Sequence, residues 1–279
     1  MSKTKVCVTG ANGFIGHLLV ERLRTAGCDV LGLTSKDHDI SKPFSVDGSF
    51  DFAVHLAAYN ITHVGATDTD MYQKINVEGT RHVLQGIRSN HFIFMSTAKV
   101  YKDEGKPIDE HSPVAPHSEY AKSKWDAEEI CRRERRSKGL TIVRSTNVVG
   151  EGQAIKAIIP VFFEQAYQGE VLRLVGSSRT LLQLLYVGDL IDLFEALIKS
   201  GKAGGTFNAA PADKVYLGDL ARMIVKLAGS RSAIESSSDT DLPFAEVSAA
   251  KAGSVLGWRG KTSVTEILQS YNSYYAKQR

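Results

Sequence analysis

The feature that most constrains the fold is a glycine loop between a predicted strand and a predicted helix. The apolar run Lys5–Thr9 is typical of a buried strand, and it leads directly into Gly10-x-x-Gly13-x-x-Gly16. Glycines at this spacing allow a tight turn, a close approach of the backbone to a pyrophosphate and close packing of helix on strand. The helix N-terminus offers free N–H groups to the same phosphates. The pattern predicts a dinucleotide site, with contacts from Gly10, Asn12, Gly13, Phe14, Ile15 and Gly16.

Short apolar strands alternate with helical patterns over the first 150 residues. The strands are predicted at Lys5–Thr9, Asp29–Leu33, Asp51–Ala57, His91–Ser96 and Leu140–Ser145, and the helices at Phe14–Leu23, Met71–Gln85 and Tyr120–Ser137. This alternation predicts a parallel sheet with helices on both faces. We therefore expect an α/β fold of the Rossmann type, with a doubly wound parallel sheet.

The rhythm changes after about Gly150, where helices dominate. Helices are predicted at Ala154–Tyr167, Asp189–Lys199, Leu217–Ala228 and Val264–Ala276, strands at Val171–Val175 and Phe207–Asn208, and a loop at Ser230–Asp241. We expect residues 1–150 plus about 186–200 to form the NAD(P)-binding domain. Residues 151–185 plus about 201–279 are expected to form a smaller C-terminal substrate-binding lobe.

Composition narrows the classes of partner. The longest apolar runs, Ala157–Phe163 and Leu181–Val187, are too short to cross a membrane, and the first residues lack the apolar segment of a signal peptide. A net charge of +3 suits a small anionic ligand and requires neither nucleic acid nor a membrane. The three cysteines are scattered, so we expect reduced thiols, no metal site and a cytoplasmic protein.

The end of the second predicted strand bears on the choice of cofactor. An Asp or Glu at its tip would hold the free ribose hydroxyls of NAD. The chain has Thr34-Ser35-Lys36 there, and hydroxyls with a cation suit the 2′-phosphate of NADP better. NADP is therefore favoured, although Asp37 and Asp39 lie close enough to leave NAD open.

A possible proton relay begins the helix after the fourth strand. Tyr120-x-x-x-Lys124 places a phenol and an ammonium group on one helix face. The cation is expected to lower the pKa of the phenol, which is about 10 when unperturbed, so that Tyr120 can exchange a proton with a sugar hydroxyl or ketone. The spacing alone is common on surface helices. It gains weight from Thr97, whose hydroxyl at the end of the preceding strand can contact the same reacting oxygen.

Ordered motifs through most of the chain resemble those of the extended short-chain dehydrogenases/reductases. The resemblance is narrower to their NAD(P)-dependent epimerase/dehydratase group, which acts on nucleotide sugars. The motifs are Thr9–Gly16, His55-Leu56-Ala57-Ala58, Asn76-Val77-Glu78-Gly79-Thr80, Ser96–Tyr101, Tyr120–Lys124, Arg144–Gly150 and Tyr186-Val187-Gly188-Asp189-Leu190.

The resemblance implies roles by position. Tyr120 is the acid–base residue, Lys124 binds the nicotinamide ribose and Thr97 is the hydroxyl partner. Ser96 neighbours Thr97 and is expected to contact cofactor and substrate. The strand end Leu56-Ala57-Ala58 lies along the cofactor, and Asn76 supports the site. The remaining implied contacts are those of Asn147 and Arg179 with the nucleotide-sugar diphosphate; relatives also pair as homodimers through helices like Met71–Gln85 and Tyr120–Ser137.

Two departures from the family pattern limit the function. The 4,6-dehydratases carry Thr-Asp-Glu where this chain has Thr97-Ala98-Lys99, so the acid–base pair for water elimination is missing. Relatives also place an Arg on the strand before the Tyr186 motif, and here Arg179 in the preceding loop is the candidate replacement. His55 is read as a satisfied core histidine, and Arg132–Arg136 as a solvated helix face.

These observations favour an NAD(P)-dependent oxidoreductase acting at C4 of a nucleotide-linked sugar. A 4-ketoreductase using NADPH is slightly preferred over a 4-epimerase that retains NAD. A small carbonyl reductase for other substrates is disfavoured by the Asn147 motif and the C-terminal lobe. A non-catalytic NADP-binding regulator is disfavoured by the intact Thr97, Tyr120 and Lys124.

Overall fold

The fold was analysed in a computed structural model, which describes residues 3–60, 69–135, 139–153, 157–201, 204–240 and 246–277. The helices are α1 (Gly16–Thr25), α2 (Thr69–Met71), α3 (Gly79–Gly86), α4 (Glu119–Glu134), α5 (Ile158–Gln168), α6 (Val187–Ser200), α7 (Leu217–Leu227), α8 (Ala250–Leu256) and α9 (Val264–Ala276), with a π-helical segment at Tyr72–Glu78 and a 3₁₀ turn at Ala98–Val100. The strands are β1 (Lys5–Thr9), β2 (Asp29–Leu33), β3 (Phe50–His55), β4 (Ser89–Thr97), β5 (Gly139–Ser145), β6 (Asn147–Val149), β7 (Leu172–Leu174), β8 (Leu181–Leu182), β9 (Leu184–Tyr186), β10 (Gly205–Ala209), β11 (Val215–Tyr216) and β12 (Ile234–Ser236).

The central sheet has six parallel strands in the order β2-β1-β3-β4-β5-β10. The chain leaves β1 towards β2 on one side and returns to place β3 on the other side. Ligands of such sheets bind outside the carboxyl ends of the strands where this reversal occurs, here between β1 and β3. The predicted Rossmann-type fold is confirmed.

Successive residues of β1 face opposite layers of helices, as expected for a doubly wound sheet. Val6 and Val8 pack with residues of α1 and α6, such as Leu19 and Phe194. Cys7 instead joins the core formed with α3 and α4. Both faces of the sheet are therefore buried, which explains why its strands are continuous apolar runs.

A separate apolar core, built by α5, α7 and α9 with β7 and β9, lies in the C-terminal half. The helix predicted at Ala154–Tyr167 begins at Ile158 among the described residues, and 154–156 lie outside them. Pro160 does not interrupt this helix, because it falls in the first turn, where its missing N–H has no intrahelical partner.

The structure differs from the sequence-based expectations in two places of this half. Residues 201–279 were expected in the lobe, but β10 pairs with β5 as the sixth strand of the central sheet. Ile234–Ser236 was expected within a loop and pairs with β7. Short strands of three to five residues give too little periodicity to reveal their partners. Among the described residues, no helix is long and apolar enough to cross a membrane.

A buried carboxylate joins α4 to the sheet. Glu128 is 0% exposed, and its Oε1 accepts hydrogen bonds from the Ser96 hydroxyl of β4 and, at 3.0 Å, from Nε of Arg144 on β5. Its Oε2 accepts from Nη2 of Arg144 at 2.6 Å and from Arg132 at 2.8 Å. The Arg144 guanidinium also lies 4.5 Å from the centre of the Tyr101 ring. These contacts connect α4 with two neighbouring strands.

The run Arg132–Arg136 is only in part the solvated face expected from its charge. Arg135 is buried and donates hydrogen bonds to the backbone carbonyls of Ser89, Asn90 and Gly139. It thereby fastens the end of α4 to the starts of β4 and β5, while Arg133 is exposed. Residue 136 lies outside the described residues.

We expect Arg144→Met to lower the free energy of unfolding by about 3–5 kcal/mol, because it leaves the Glu128 carboxylate buried with one fewer cation. Denaturant unfolding followed by circular dichroism measures this change. The control is Arg222→Met, which removes an exposed ion pair with Asp219 and should cost less than about 1 kcal/mol. Equal losses in the two variants would contradict the importance of the buried pair.

Candidate functional site

The glycine loop makes its closest contact with the end of β3. Gly10 has φ +69°, a conformation that favours glycine, and a Cβ there would lie 2.8 Å from the backbone nitrogen of Ala57. A Cβ on Gly16 would lie 2.0 Å from the carbonyl oxygen of Gly10. The absence of side chains at both positions therefore brings the loop, α1 and the carboxyl end of β3 together at the switch point.

The N-terminus of α1 is open towards this crevice. Within the described residues, no side chain caps the helix and its first turn carries no acidic residue. Asn12 and Gly13 are exposed, and Phe14 and Ile15 are half-buried. Free N–H groups and the positive end of the helix dipole suit a pyrophosphate. The loop thus fits the phosphates of a dinucleotide.

His55 ends β3 in a chain of hydrogen bonds that defines its tautomer. The Thr80 hydroxyl donates to the Asn76 carbonyl, so at 3.1 Å it must accept from Nε2–H of His55. Nδ1 then accepts from the Thr9 hydroxyl at 2.7 Å, which in turn accepts from Ala57 N–H. Burial lowers the pKa of His55 to about 3. The prediction of a satisfied core histidine is confirmed.

The turn after β2 contains an acid that the tip of the strand lacks. The Thr34 hydroxyl donates to the Asp37 carboxylate at 2.7 Å and accepts from Lys36 N–H at 3.3 Å. Ser35 and Lys36 are exposed. The structure therefore presents both a cation and a carboxylate at the edge where a ribose would lie.

Tyr120 lies in the first turn of α4, whose start is capped by Ser118 accepting a hydrogen bond from Ala121 N–H at 3.2 Å. Its half-buried ring is 6.1 Å from the ring of Tyr72, measured between centres. Burial, and to a lesser extent Tyr72, raises the pKa of Tyr120 above its ordinary value. The pKa of Tyr120 is therefore shifted in the direction opposite to the lowering expected from Lys124.

Lys124 lies one turn further along α4 and is only 3% exposed. Its Nζ is 4.1 Å from the centre of the Phe94 ring of β4, an arrangement in which the ring face stabilises the cation. Burial lowers the pKa of Lys124 to about 8, against the opposing effects of Cys131 and Glu128. The ammonium group of Lys124 is therefore held in the interior of the protein, against β4.

Asn76 braces this part of α4, as its predicted supporting position implied. Its side-chain nitrogen donates to the Ser123 hydroxyl at 2.9 Å and to the Tyr59 carbonyl at 3.0 Å. Its side-chain oxygen accepts from Tyr59 N–H at 2.8 Å. Because Ser123 also donates to the Tyr120 carbonyl, Asn76 connects the backbone at Tyr59 with the helix that carries Tyr120 and Lys124.

Thr97 and Ser96 have different surroundings at the end of β4. Thr97 is nearly buried, and its hydroxyl accepts a hydrogen bond from Lys99 N–H at 3.2 Å. Ser96 donates to Glu128, and successive side chains of a strand point to opposite faces. The expectation that Ser96 contacts cofactor and substrate is therefore not supported by this geometry.

The two predicted diphosphate contacts lie in the C-terminal half. Asn147 is exposed at the start of β6, opposite Leu184 of β9. Arg179 lines a surface cavity of about 440 Å³ together with Ser178, Tyr216, Asp219 and Arg222.

The predicted cofactor contacts after β3 lie at the crevice. Leu56 and Ala57 are half-buried there, and Ala58 is exposed beside them.

Sequence reasoning missed Glu128 and Tyr72. Glu128 follows Tyr120 and Lys124 at four-residue intervals, so helical periodicity was an available signal for its place on the same face. Tyr72 lies in the π-helical segment, and its contact with Tyr120 depends on tertiary packing that no local pattern reports.

Comparison with known proteins gives a match to a family model and to several relatives. The model of the NAD dependent epimerase/dehydratase family matches residues 6–210. The chain is 29% identical over 219 residues to N-acetyl-alpha-D-glucosaminyl-diphospho-ditrans,octacis-undecaprenol 4-epimerase of Escherichia coli O157:H7, covering 71% of this chain and 64% of that protein. It is 30% identical over 217 residues to GDP-6-deoxy-D-talose 4-dehydrogenase of Aggregatibacter actinomycetemcomitans, covering 73% of each. The chain thus spans less than two thirds of the first of these relatives.

Among solved structures, the chain is similar to UDP-glucuronic acid 4-epimerase from Bacillus cereus in complex with UDP-glucuronic acid and NAD. The TM-score is 0.88 with 20% sequence identity, and the alignment covers 99% of this chain and 100% of that one. At this identity the likeness shows a shared fold.

The lowered pKa of Lys124 predicts a pH dependence of stability. Between about 8 in the folded protein and 10.5 in the unfolded chain, the unfolded state binds more protons, so stability rises with pH. The free energy of unfolding of the wild type, minus that of Lys124→Met, should therefore increase by about 2–3 kcal/mol from pH 7.5 to pH 10. Urea unfolding at both pH values tests this, and because the two proteins share all other titrating groups, a flat difference would contradict it.

Proposed function

Since the chain belongs to the NAD dependent epimerase/dehydratase family, we propose that it transfers a hydride at C4 of a nucleotide-linked sugar, with 4-ketoreduction favoured. The observation that carries this proposal is the placement of Tyr120 and Lys124 on α4, which packs against β4 and the turn that follows Thr97. In this proposal, Tyr120 is the proton donor, Lys124 the cation and Thr97 the hydroxyl that act together at the carboxyl edge of the sheet.

The residues that would hold the cofactor are those that line the crevice between β1 and β3. The loop Gly10–Gly16 and the N-terminus of α1 would bind the pyrophosphate. The turn Thr34-Ser35-Lys36 would bind the adenosine ribose. Leu56, Ala57 and Ala58 would lie along the dinucleotide, and Lys124 would bind the nicotinamide ribose. A bound nicotinamide supplies or accepts the hydride.

Tyr120 performs the proton transfer in this proposal. Its raised pKa keeps the phenol protonated, so its O–H can donate a proton to the C4 oxygen as the ketone is reduced. The Thr97 hydroxyl holds the same oxygen, and the charge of Lys124 stabilises the phenolate that remains. In the opposite direction the phenolate takes the proton from the C4 hydroxyl. Microscopic reversibility therefore lets one residue serve reduction and oxidation.

The relatives support position C4 as the reacting carbon, because the names of both give the 4-position, in one an epimerase and in the other a dehydrogenase. Dehydration is disfavoured, since Thr97-Ala98-Lys99 lacks the acid that water elimination requires. A 4-epimerase that retains NAD is the second candidate, and Asp37 at the turn after β2 is the observation that favours it.

The proposal assigns different roles to the two parts of the chain. The sheet and its helices would bind the cofactor, and the separate core of α5, α7 and α9 would carry Asn147 and Arg179 towards the sugar diphosphate. Pairing of two copies through the π-helical segment, α3 and α4 is the proposed arrangement of a homodimer, testable by sedimentation.

Tyr120→Phe should lower kcat by about 10²–10⁴-fold while the affinity for NADPH stays nearly unchanged, because only the transferred proton is lost. The assay is NADPH oxidation with UDP-, dTDP- and GDP-linked 4-keto sugars, together with epimer interconversion of the 4-hydroxy forms. Tyr274→Phe, an exposed position on α9, is the matched control.

Two outcomes of this assay would count against the proposal. Undiminished activity of Tyr120→Phe would remove Tyr120 as the proton donor. A wild-type protein that binds NADPH but turns over no sugar in the panel would favour the non-catalytic regulator.

Cofactor choice is tested at the turn after β2. NADPH should bind at least several-fold more tightly than NADH, and Lys36→Ala should narrow that difference because the 2′-phosphate loses its cation. Asp37→Asn should leave the preference in place. Fluorescence titration of both nucleotides measures these affinities. Tighter NADH binding that Asp37→Asn weakens would assign NAD and strengthen the 4-epimerase.

A further inference from the structure

A tyrosine hydroxyl is buried where α9 meets the segment that follows β6. Tyr271 of α9 is 1% exposed, and its ring stacks on that of Phe163 of α5 with 6.2 Å between the ring centres. Phenylalanine would fill the same apolar space without a hydroxyl, and a buried hydroxyl is costly unless it is hydrogen-bonded. The hydroxyl of Tyr271 is therefore explained by its hydrogen bonds and not by the packing of its ring.

The hydrogen-bond partners belong to the segment Gly150–Gln153, which we call the β6 loop. The N–H of Gly150 donates to the Tyr271 hydroxyl at 2.8 Å, and that hydroxyl donates to Oε1 of Gln153 at 2.9 Å. Nε2 of Gln153 donates to the carbonyl of Val148, within β6, at 2.9 Å. The chain of hydrogen bonds thus runs from the backbone after β6, through α9, and returns to β6 itself.

The strand β6 lies on the boundary between two cores. It has three residues and forms a two-stranded sheet with β9, and a pair of such short strands is not stable by itself. Val148 packs against the core that the sheet shares with α1 and α6, whereas Val149 is buried in the core of α5, α7 and α9. The Tyr271 hydroxyl therefore ties a strand of marginal pairing to the helix α9.

The β6 loop also contacts the predicted nucleotide loop. A Cβ on Gly150 would lie 3.3 Å from Cζ of Phe14 and 2.5 Å from Cγ1 of Val187. Phe14 belongs to the glycine loop, and Val187 begins α6. Since Gly150 has no side chain, the β6 loop packs closely against both elements. The hydrogen bond between Gly150 and Tyr271 consequently lies beside the crevice proposed for the cofactor.

We propose that the Tyr271 hydroxyl is a positioning group for the nucleotide sugar, which acts by holding β6 and its loop in the arrangement that directs Asn147 at the diphosphate. The inference rests on the proposed function, in which Asn147 makes that contact. Asn147 is exposed at the start of β6, so its position follows that of the β6 backbone.

Removal of the hydroxyl would leave the N–H of Gly150 and Oε1 of Gln153 without the partner they share. The β6 loop would then adopt the binding arrangement for only part of the time, and the apparent affinity for the diphosphate would fall by that fraction. The glycine loop would retain its own contacts, so the affinity for NADPH would stay unchanged.

The test is calorimetric titration of UDP, dTDP and GDP into protein saturated with NADPH. Tyr271→Phe should weaken the binding of the preferred diphosphate by about 5- to 50-fold and leave NADPH affinity unchanged. Gln153→Met interrupts the same chain of hydrogen bonds and should act in the same direction. The matched control is Tyr167→Phe, which removes a hydroxyl that donates to Asn272 of α9 at 2.6 Å in the same core and should leave both affinities unchanged.

A double-mutant cycle with Asn147→Ala separates positioning from a merely structural role. If Tyr271 acts through Asn147, Tyr271→Phe should change diphosphate affinity little in the Asn147→Ala protein, whereas independent contributions would add. Gln153→Met takes the place of Tyr271→Phe in this cycle if the latter does not fold.

Four outcomes would overturn the inference. Wild-type diphosphate affinity in Tyr271→Phe, additive losses in the cycle, or a matching loss of NADPH affinity would each do so and leave the proposed hydride transfer intact. An Asn147→Ala protein that binds the diphosphate like the wild type would remove Asn147 as the contact on which the inference rests. A wild type that binds NADPH and none of the three diphosphates would instead contradict the proposed substrate class, and the inference with it.

Discussion

The buried Glu128 carboxylate is the interaction on which the arrangement of the site depends. A fully desolvated charge is costly unless it is paired and hydrogen-bonded, and Glu128 receives hydrogen bonds from Ser96, Arg144 and Arg132. These partners come from β4, β5 and α4 itself. The position of α4 along the sheet is thereby defined, and with it the positions of Tyr120 and Lys124, which lie on the same helix face two turns and one turn earlier, respectively.

A second set of contacts defines the carboxyl edge of the sheet. Gly10 approaches the backbone of Ala57 at the switch point, and the neutral His55 joins Thr9 to Thr80 across β1, β3 and α3. Every polar atom of the imidazole has a partner, so burial carries no unsatisfied donor or acceptor. These contacts hold the glycine loop, β1, β3 and α3 together at the carboxyl edge of the sheet.

Burial also determines the charges at the site. It raises the pKa of Tyr120 and lowers the pKa of Lys124, because in each residue it disfavours the charged form. Such groups lower stability and are retained at functional sites.

Local patterns were sufficient for much of the fold. The bounds predicted for β1, β2 and α9 agree with the structure, because strand alternation, capping residues and glycine ends act within a few residues of one another. The glycine loop and the Tyr120-x-x-x-Lys124 spacing are local in the same sense. The sequence alone therefore determined the doubly wound α/β fold, and it located the candidate nucleotide loop and proton relay.

Tertiary structure decided which partner each polar side chain has. Ser96 points to Glu128 and not to the crevice, Arg135 is buried against backbone carbonyls, and β10 completes the central sheet. The pKa of Tyr120 is raised and not lowered, because burial disfavours the charged phenolate. Periodicity reports which face of an element is apolar. It cannot report which residues pack against that face. Those residues determine how far a titratable side chain is desolvated and which partners it has, and therefore its pKa and charge.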